Sequence, residues 1–248
     1  EMTGGVVEVR ASHGDTHLGG DDFDQLLADH AGKLFYKKHQ LSLKDNRVAL
    51  ARLNRAAEAA KIHLSDFAEA RLREEYLIEQ NNVPYHLDAV VTRHEFEEMT
   101  EHLLDRTLES LEKVFKDAEL SPEELDRVLL VGGATRMPAV WTLAANYTGL
   151  EPDAEINPDE VVALGAAVQA AIIAGQPVES ILVDVTPYSL GIETATWVGG
   201  QLIPDIYNVL IHRNTTSPVP KEQTFQTIHP NQKAVHIKVY QGEAPIAS

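Results

Sequence analysis

The sequence predicts an α/β lobe that carries a small α+β subdomain and is followed by an all-β segment. Three observations lead there. Amphipathic helical stretches alternate with short apolar runs from the N-terminus to Gly175, the pattern of strands connected by helices. Two Gly-Gly turns each follow such a run and precede a helix. Beyond Val183 the helical period disappears, and Pro and Gly turns separate branched runs such as NVLIH and AVHIKVY, which suit strands. The change in composition puts a boundary near residues 176–184.

Residues 6–11 alternate like a strand and lead into the turn GDTHLGGDDFD, where Asp21 and Asp22 favour the positive end of a helix reaching His39. Residues 47–65 place Leu50, Leu53, Ala57, Ala60 and Leu64 at spacings of three and four, one apolar stripe of a second helix, with Glu58 and Lys61 on its polar face. Short alternating stretches around NNVPY, over residues 70–92, predict a small antiparallel sheet. Thr92 and Glu95 have the spacing of a capping box that opens a long helix to Ala118. SPEE starts a helical turn, and RVLLV reads as a strand buried on both faces. A helix over residues 138–147 follows, and then Asn157 as N-cap, Pro158 at the first helical position and the acidic Asp159 and Glu160 open a helix that stops at Gly175. The small apolar residues of that helix predict a place in the core.

Composition excludes several function classes. Lys and Arg number 21 against 38 Asp and Glu, a formal charge of -17, and such a surface repels nucleic acid and anionic lipid. There is no cysteine, which removes thiol catalysis, disulfides and thiolate zinc sites. The histidines lack HExxH or any paired spacing and no GxSxG elbow occurs, so neither a metal site nor a serine hydrolase is expected. The longest apolar stretch is too short and too small-residued for a membrane span. The chain opens on Glu1 within a strand-like segment, without initiator Met or signal sequence, so its true N-terminus is expected upstream.

A Gly-Gly turn between strand and helix gathers free N–H groups and a positive helix end, a good place for phosphate. Leu18-Gly19-Gly20-Asp21 and Val131-Gly132-Gly133-Ala134-Thr135-Arg136 are two such points. Glu58, Lys61 and Ser65 recur on one helix face and suit a ribose with its base. Taken singly, each is more simply a tight connection or a solvated helix face.

Together, GDTHLGGDDFD, AAEAAKIHLS, LLVGGATRMP, INPDEVVALGAAVQAA and DVTPYSLGIET occur in the order found in heat-shock-70 chaperones of the DnaK type. The chain resembles that family from residue 5 to about residue 243, with a poor match over residues 66–90. The resemblance implies an actin-like (ribonuclease H-like) ATPase lobe in residues 1–176, with an exchange-factor-binding subdomain at 21–118. It further implies an apolar linker at 177–184 and the N-terminal part of a β-sandwich peptide-binding domain at 185–248.

In that family Gly20 would face the nucleotide phosphates, and Glu58, Lys61 and Ser65 would contact adenosine. Gly132, Gly133, Ala134, Thr135 and Arg136 would form a second adenosine-side loop, with Arg136 flat on the base and Asp159 nearby. Ile62 stands where many relatives carry Arg, as in some bacterial members, which implies a bacterial or organellar, cytoplasmic type. The cofactor implied is ATP or ADP, with Mg in the intact parent. The catalytic acidic residues and the other phosphate loops of the family lie upstream of Glu1, so this chain is expected to hold no catalytic residue and to turn over no ATP alone.

Ser180 and then Ile181, Leu182, Val183 and Asp184 occupy the linker, which a short strand would explain equally well. Ile192, Ala195, Phe225, Ile228, Val235 and Ile237 match positions that line or arch over a bound peptide. Implied partners are unfolded or extended polypeptides, a J-domain co-chaperone and a nucleotide-exchange factor. A non-catalytic module that binds exchange factors is the alternative function. One departure stands out: ATWVGGQLIPDIYNVLIHR, residues 195–213, is longer than the family spacing and carries Trp197, which predicts a rebuilt first loop of the groove.

Overall fold

The computed structural model describes residues 1–153, 157–178 and 181–247. Ser180 of the expected linker and Ile156 of the INPDE motif lie outside the described residues. The chain divides into two compact units, Gly14–Glu112 with Ser121–Ala170, and Glu1–His13 with Lys113–Leu120 and Ala171–Ser248.

The first of these contains the main core. Helix α1 (Gly20–His39) begins after Gly19, whose N–H donates to Asp22 Oδ2 at 2.8 Å. Asp21 and Asp22 sit in its first turn and Lys37, Lys38 and His39 in its last, both in the sense that complements the helix dipole. Helix α2 (Arg47–Asp66) is capped by Asn46, whose Oδ1 accepts the Ala49 N–H at 3.0 Å. The expected stripe faces the core: Leu53, Ala57, Ala60 and Leu64 join Phe23, Leu27, Ala28, Ala31 and Phe35 of α1 in one cluster, and Leu50 packs against it half-buried. Each fully buried Leu or Phe contributes roughly 1.5–3 kcal/mol, so this seam fixes the two helices against each other.

Strands β3 (Glu69–Gln80) and β4 (Val83–Thr92) form the expected antiparallel sheet. They turn on Asn81 and Asn82, both at positive φ, 54° and 60°. Their inward residues Ala70, Leu72, Leu77, Leu87 and Val91 close the same core. The register shifts between Glu74 and Ile78, where Tyr76 has φ 52°. Arg52 of α2 spans this bulge, donating to Glu74 Oε2 at 2.5 Å, Glu75 O at 2.7 Å and Tyr76 O at 2.8 Å. Tyr76 N–H donates to His86 Nδ1 at 2.8 Å. Helix α3 (Arg93–Ala118) follows directly and buries Phe96, Thr100 and Leu103.

Two expectations fail here. Among the described residues RVLLV is not a strand buried on both faces: it makes one isolated parallel bridge, Leu129 to Asp153, and Leu129 and Val131 are 56% and 47% exposed. A strand buried on both faces needs ladders and cover on each side, and a single bridge supplies neither. Helix α4 (Pro138–Thr148) forms as expected. Helix α5 (Val161–Ile173) also forms, but none of its residues is buried, and Val162 and Ile173 are 69% and 79% exposed. It is not core. A helix apolar on every side needs cover on every side, and the described residues do not provide it.

In the other unit, β1 (Met2–Thr3) pairs antiparallel with β2 (Val6–Glu8), which pairs in parallel with β5 (Ile181–Val183). Within the region expected as linker, Ile181–Val183 thus form a short strand. Strands β6 (Leu190–Val198) and β7 (Gln201–Ile211) form a long hairpin turning on Gly199 and Gly200, at φ 59° and 86°, where an L side chain would be strained. The long segment 195–213 therefore builds the tip of β6 and the whole return strand β7. Strand β8 (Val239–Gln241) pairs with the other edge of β6. The strand expected over AVHIKVY is confined to its end, because the ladder holds only where Val239, Tyr240 and Gln241 meet Ile192, Gly191 and Leu190.

Candidate functional site

The last turns of α2 carry Lys61, Ile62, Ser65 and Asp66, and the four-residue spacing puts Lys61 and Ser65 on one side. Opposite stands the turn Gly133–Arg136, followed by Met137 and by Trp141 of α4. Together with Leu130, Asp153 and Pro158 they line an open cleft of about 330 Å³.

The turn is built by backbone. Gly132 has φ 95°, the left-handed region that favours glycine, and its N–H donates to Pro158 O at 3.0 Å. Thr135 closes the turn by donating both its N–H and its hydroxyl to Gly132 O, at 3.0 and 2.6 Å. A side chain at Gly133 would place its Cβ 3.2 Å from Asp159 Oδ1 and push the carboxylate back by a few tenths of an ångström. Arg136 reaches Asp159 Oδ2 through Nη2 at 2.6 Å and Nε at 3.1 Å, and Asn157 Oδ1 at 3.0 Å. Its side chain is 50% exposed, so the pair contributes at most about 1 kcal/mol to stability; its effect is to aim the guanidinium along the cleft wall.

Lys61 is held far more tightly. Its Nζ donates to Asp24 Oδ2 at 2.8 Å and to Gly20 O at 3.0 Å, and both charged side chains are only 12% exposed. Asp24 Oδ1 is buried with no hydrogen-bond partner. Burial raises the Asp24 carboxyl above the usual carboxylate range, outweighing the Lys61 hydrogen bond and charge that lower it. A Cβ at Gly20 would stand 3.0 Å from Lys61 Nζ.

Of the residues expected around a nucleotide, the structure gathers Lys61, Ser65, Gly133, Ala134, Thr135 and Arg136 on the cleft wall. Gly132 and Asp159 brace the turn from behind, and Gly20 lies under the Lys61 ammonium. Glu58 is exposed and outside the lining. Trp141, Met137 and Asp24 went unread in the sequence, although spacing held a signal for each: Trp141 lies four residues after Met137, and Asp24 four after Gly20, one helical turn in both cases.

The second set of expected residues is placed differently. Ile181 and Leu182 are exposed on β5, Val183 is half-buried, and the exposed Asp184 accepts the Val185 N–H at 2.8 Å. Ile192 and Ala195 are half-buried on β6, Ala195 at a register break. Phe225, Ile228, Val235 and Ile237 are exposed on a stretch without regular structure. Among the described residues no group of three His, Asp or Glu is placed to hold a metal ion, and no helix is long and apolar enough to cross a membrane.

Compared with known protein families, residues 1–248 match the one described as Hsp70 protein. With the whole length matched, this chain belongs to the Hsp70 family, a chaperone family whose members bind ATP or ADP with Mg.

Proposed function

We propose that the chain is part of an ATP-dependent chaperone and that its cleft holds the adenosine end of ATP or ADP. One observation carries this reading: Lys61 and Ser65 face the Gly133–Arg136 turn across a cleft of about 330 Å³, within the range of small-ligand sites. The residues present suit a nucleoside. Lys61 and Ser65 offer donors to a sugar, Ile62, Leu130, Met137 and Trp141 offer apolar area to a base, and the Arg136 guanidinium offers a flat cationic face. The bare backbone at Gly133 lets a ligand approach closely. The nucleotide itself supplies the phosphoanhydride chemistry; these residues bind and orient it.

In this reading residues 1–176 belong to the second lobe of an actin-like ATPase, residues 177–184 to the interdomain linker, and residues 185–248 to the peptide-binding sandwich. Unfolded polypeptides, a J-domain co-chaperone and an exchange factor are the partners. The test is a fluorescence-anisotropy titration of labelled ADP onto the purified chain. Weak, saturable binding that falls roughly tenfold or more with Arg136→Ala, about 1.4 kcal/mol, supports the site. A folded wild-type chain that binds no ADP overturns it.

A further inference from the structure

Asp24 lies behind the cleft, yet it governs where the cation of the cleft stands. It projects from α1 one turn after Gly20, and Lys61 reaches both residues from α2. The two helices are locked along Leu27, Ala28, Ala57 and Ala60, so carboxylate and ammonium meet on a rigid seam. An ammonium has three donors. Two are spent on Asp24 Oδ2 and Gly20 O, and Lys61 also lines the cleft.

We propose that Asp24 is the positioning residue for Lys61: it fixes the ammonium so that a single donor remains for an acceptor on the ligand. The proposal takes the ligand from the nucleotide reading above; the fixing of the ammonium does not depend on it. A pair retained for stability alone would satisfy both carboxylate oxygens, because a buried unpaired oxygen is destabilising. Here Oδ1 is left buried and unpartnered, and burial raises the Asp24 pKa. The arrangement sacrifices stability while holding one charge in one place.

The test uses the full chain with Asp24→Asn, Lys61→Met and the double variant. Labelled ADP is titrated onto each, and the Lys61 ammonium is followed by proton–nitrogen NMR without ligand. Each single change is expected to weaken ADP roughly tenfold, with the double variant no weaker than Lys61→Met alone, since Asp24 acts only through the lysine. The slowly exchanging Lys61 ammonium signal of the wild type is expected to vanish in Asp24→Asn. Losses that add in the double variant, or an unchanged ammonium signal in folded Asp24→Asn, overturn the proposal. If Asp24→Asn does not fold, Asp24→Glu replaces it, because it keeps the charge and displaces it by one methylene. A wild type that binds no ADP defeats the nucleotide reading, and the ammonium signal alone then decides the positioning role.

Discussion

Thr92 and Glu95 hold each other at the entrance to α3. Glu95 Oε2 accepts the Thr92 N–H at 2.8 Å and its hydroxyl at 2.7 Å, and Thr92 Oγ1 accepts the Glu95 N–H at 3.2 Å. The Thr92 backbone bond, then its hydroxyl, lowers the Glu95 pKa below its ordinary value. A carboxyl lowered by folding stabilises the fold fully above its unfolded pKa, and that stabilisation is lost as pH falls through the folded one. Thr92→Ala is therefore expected to cost about 1 kcal/mol at neutral pH, measured by urea denaturation, with a smaller difference from wild type in acid, where Glu95 is protonated in both. The same single-residue chemistry was readable in advance, because a capping box is a local pattern four residues long.

Elements were legible where a stripe or a turn carried them. The positions Leu53, Ala57, Ala60 and Leu64 fixed the buried face of α2, and NNVPY marked the turn of β3 and β4. At that turn both Asn81 and Asn82 are left-handed, a geometry that prefers glycine second. Asn82→Gly is expected to raise stability by about 0.5 kcal/mol, read as an upward shift in Tm. The bulge at Tyr76 was not legible, because nothing within EEYLIE marks it; Arg52 from α2 and His86 from β4 hold it. RVLLV shows the opposite error. Branched apolar residues record a preference for extended backbone, and the ladder that turns such a run into a strand has to come from elsewhere in the structure.

Across the whole molecule, the motifs singled out Lys61, Ser65 and the Gly133–Arg136 turn, which the structure brings to one cleft wall, whereas Asp24 and Trp141 came to light only with the packing. The other whole-molecule feature is α5, where Val162, Leu164, Val168 and Ile173 are all exposed. Exposed apolar area of this kind drives association, opposed at low salt by the net charge of -17. Sedimentation velocity is expected to show the average mass of the wild type rising with protein concentration, and more steeply in salt. Leu164→Glu is expected to bring the mass back toward the monomer value; an equal rise in both chains would exclude α5 as the contact.

The contact between Gly20 and Lys61 also constrains how this chain can change over generations. A methyl group at position 20 would stand 3.0 Å from the ammonium nitrogen, and an ammonium tied to Gly20 O and Asp24 would have to give by a few tenths of an ångström at the expense of those bonds. A larger residue at 20 is better tolerated in a lineage that has already shortened residue 61, and such a lineage no longer carries the ammonium on its cleft wall. The two positions, 41 apart in sequence, are therefore expected to be epistatic, and the order of substitution decides which descendants keep the ammonium where it stands.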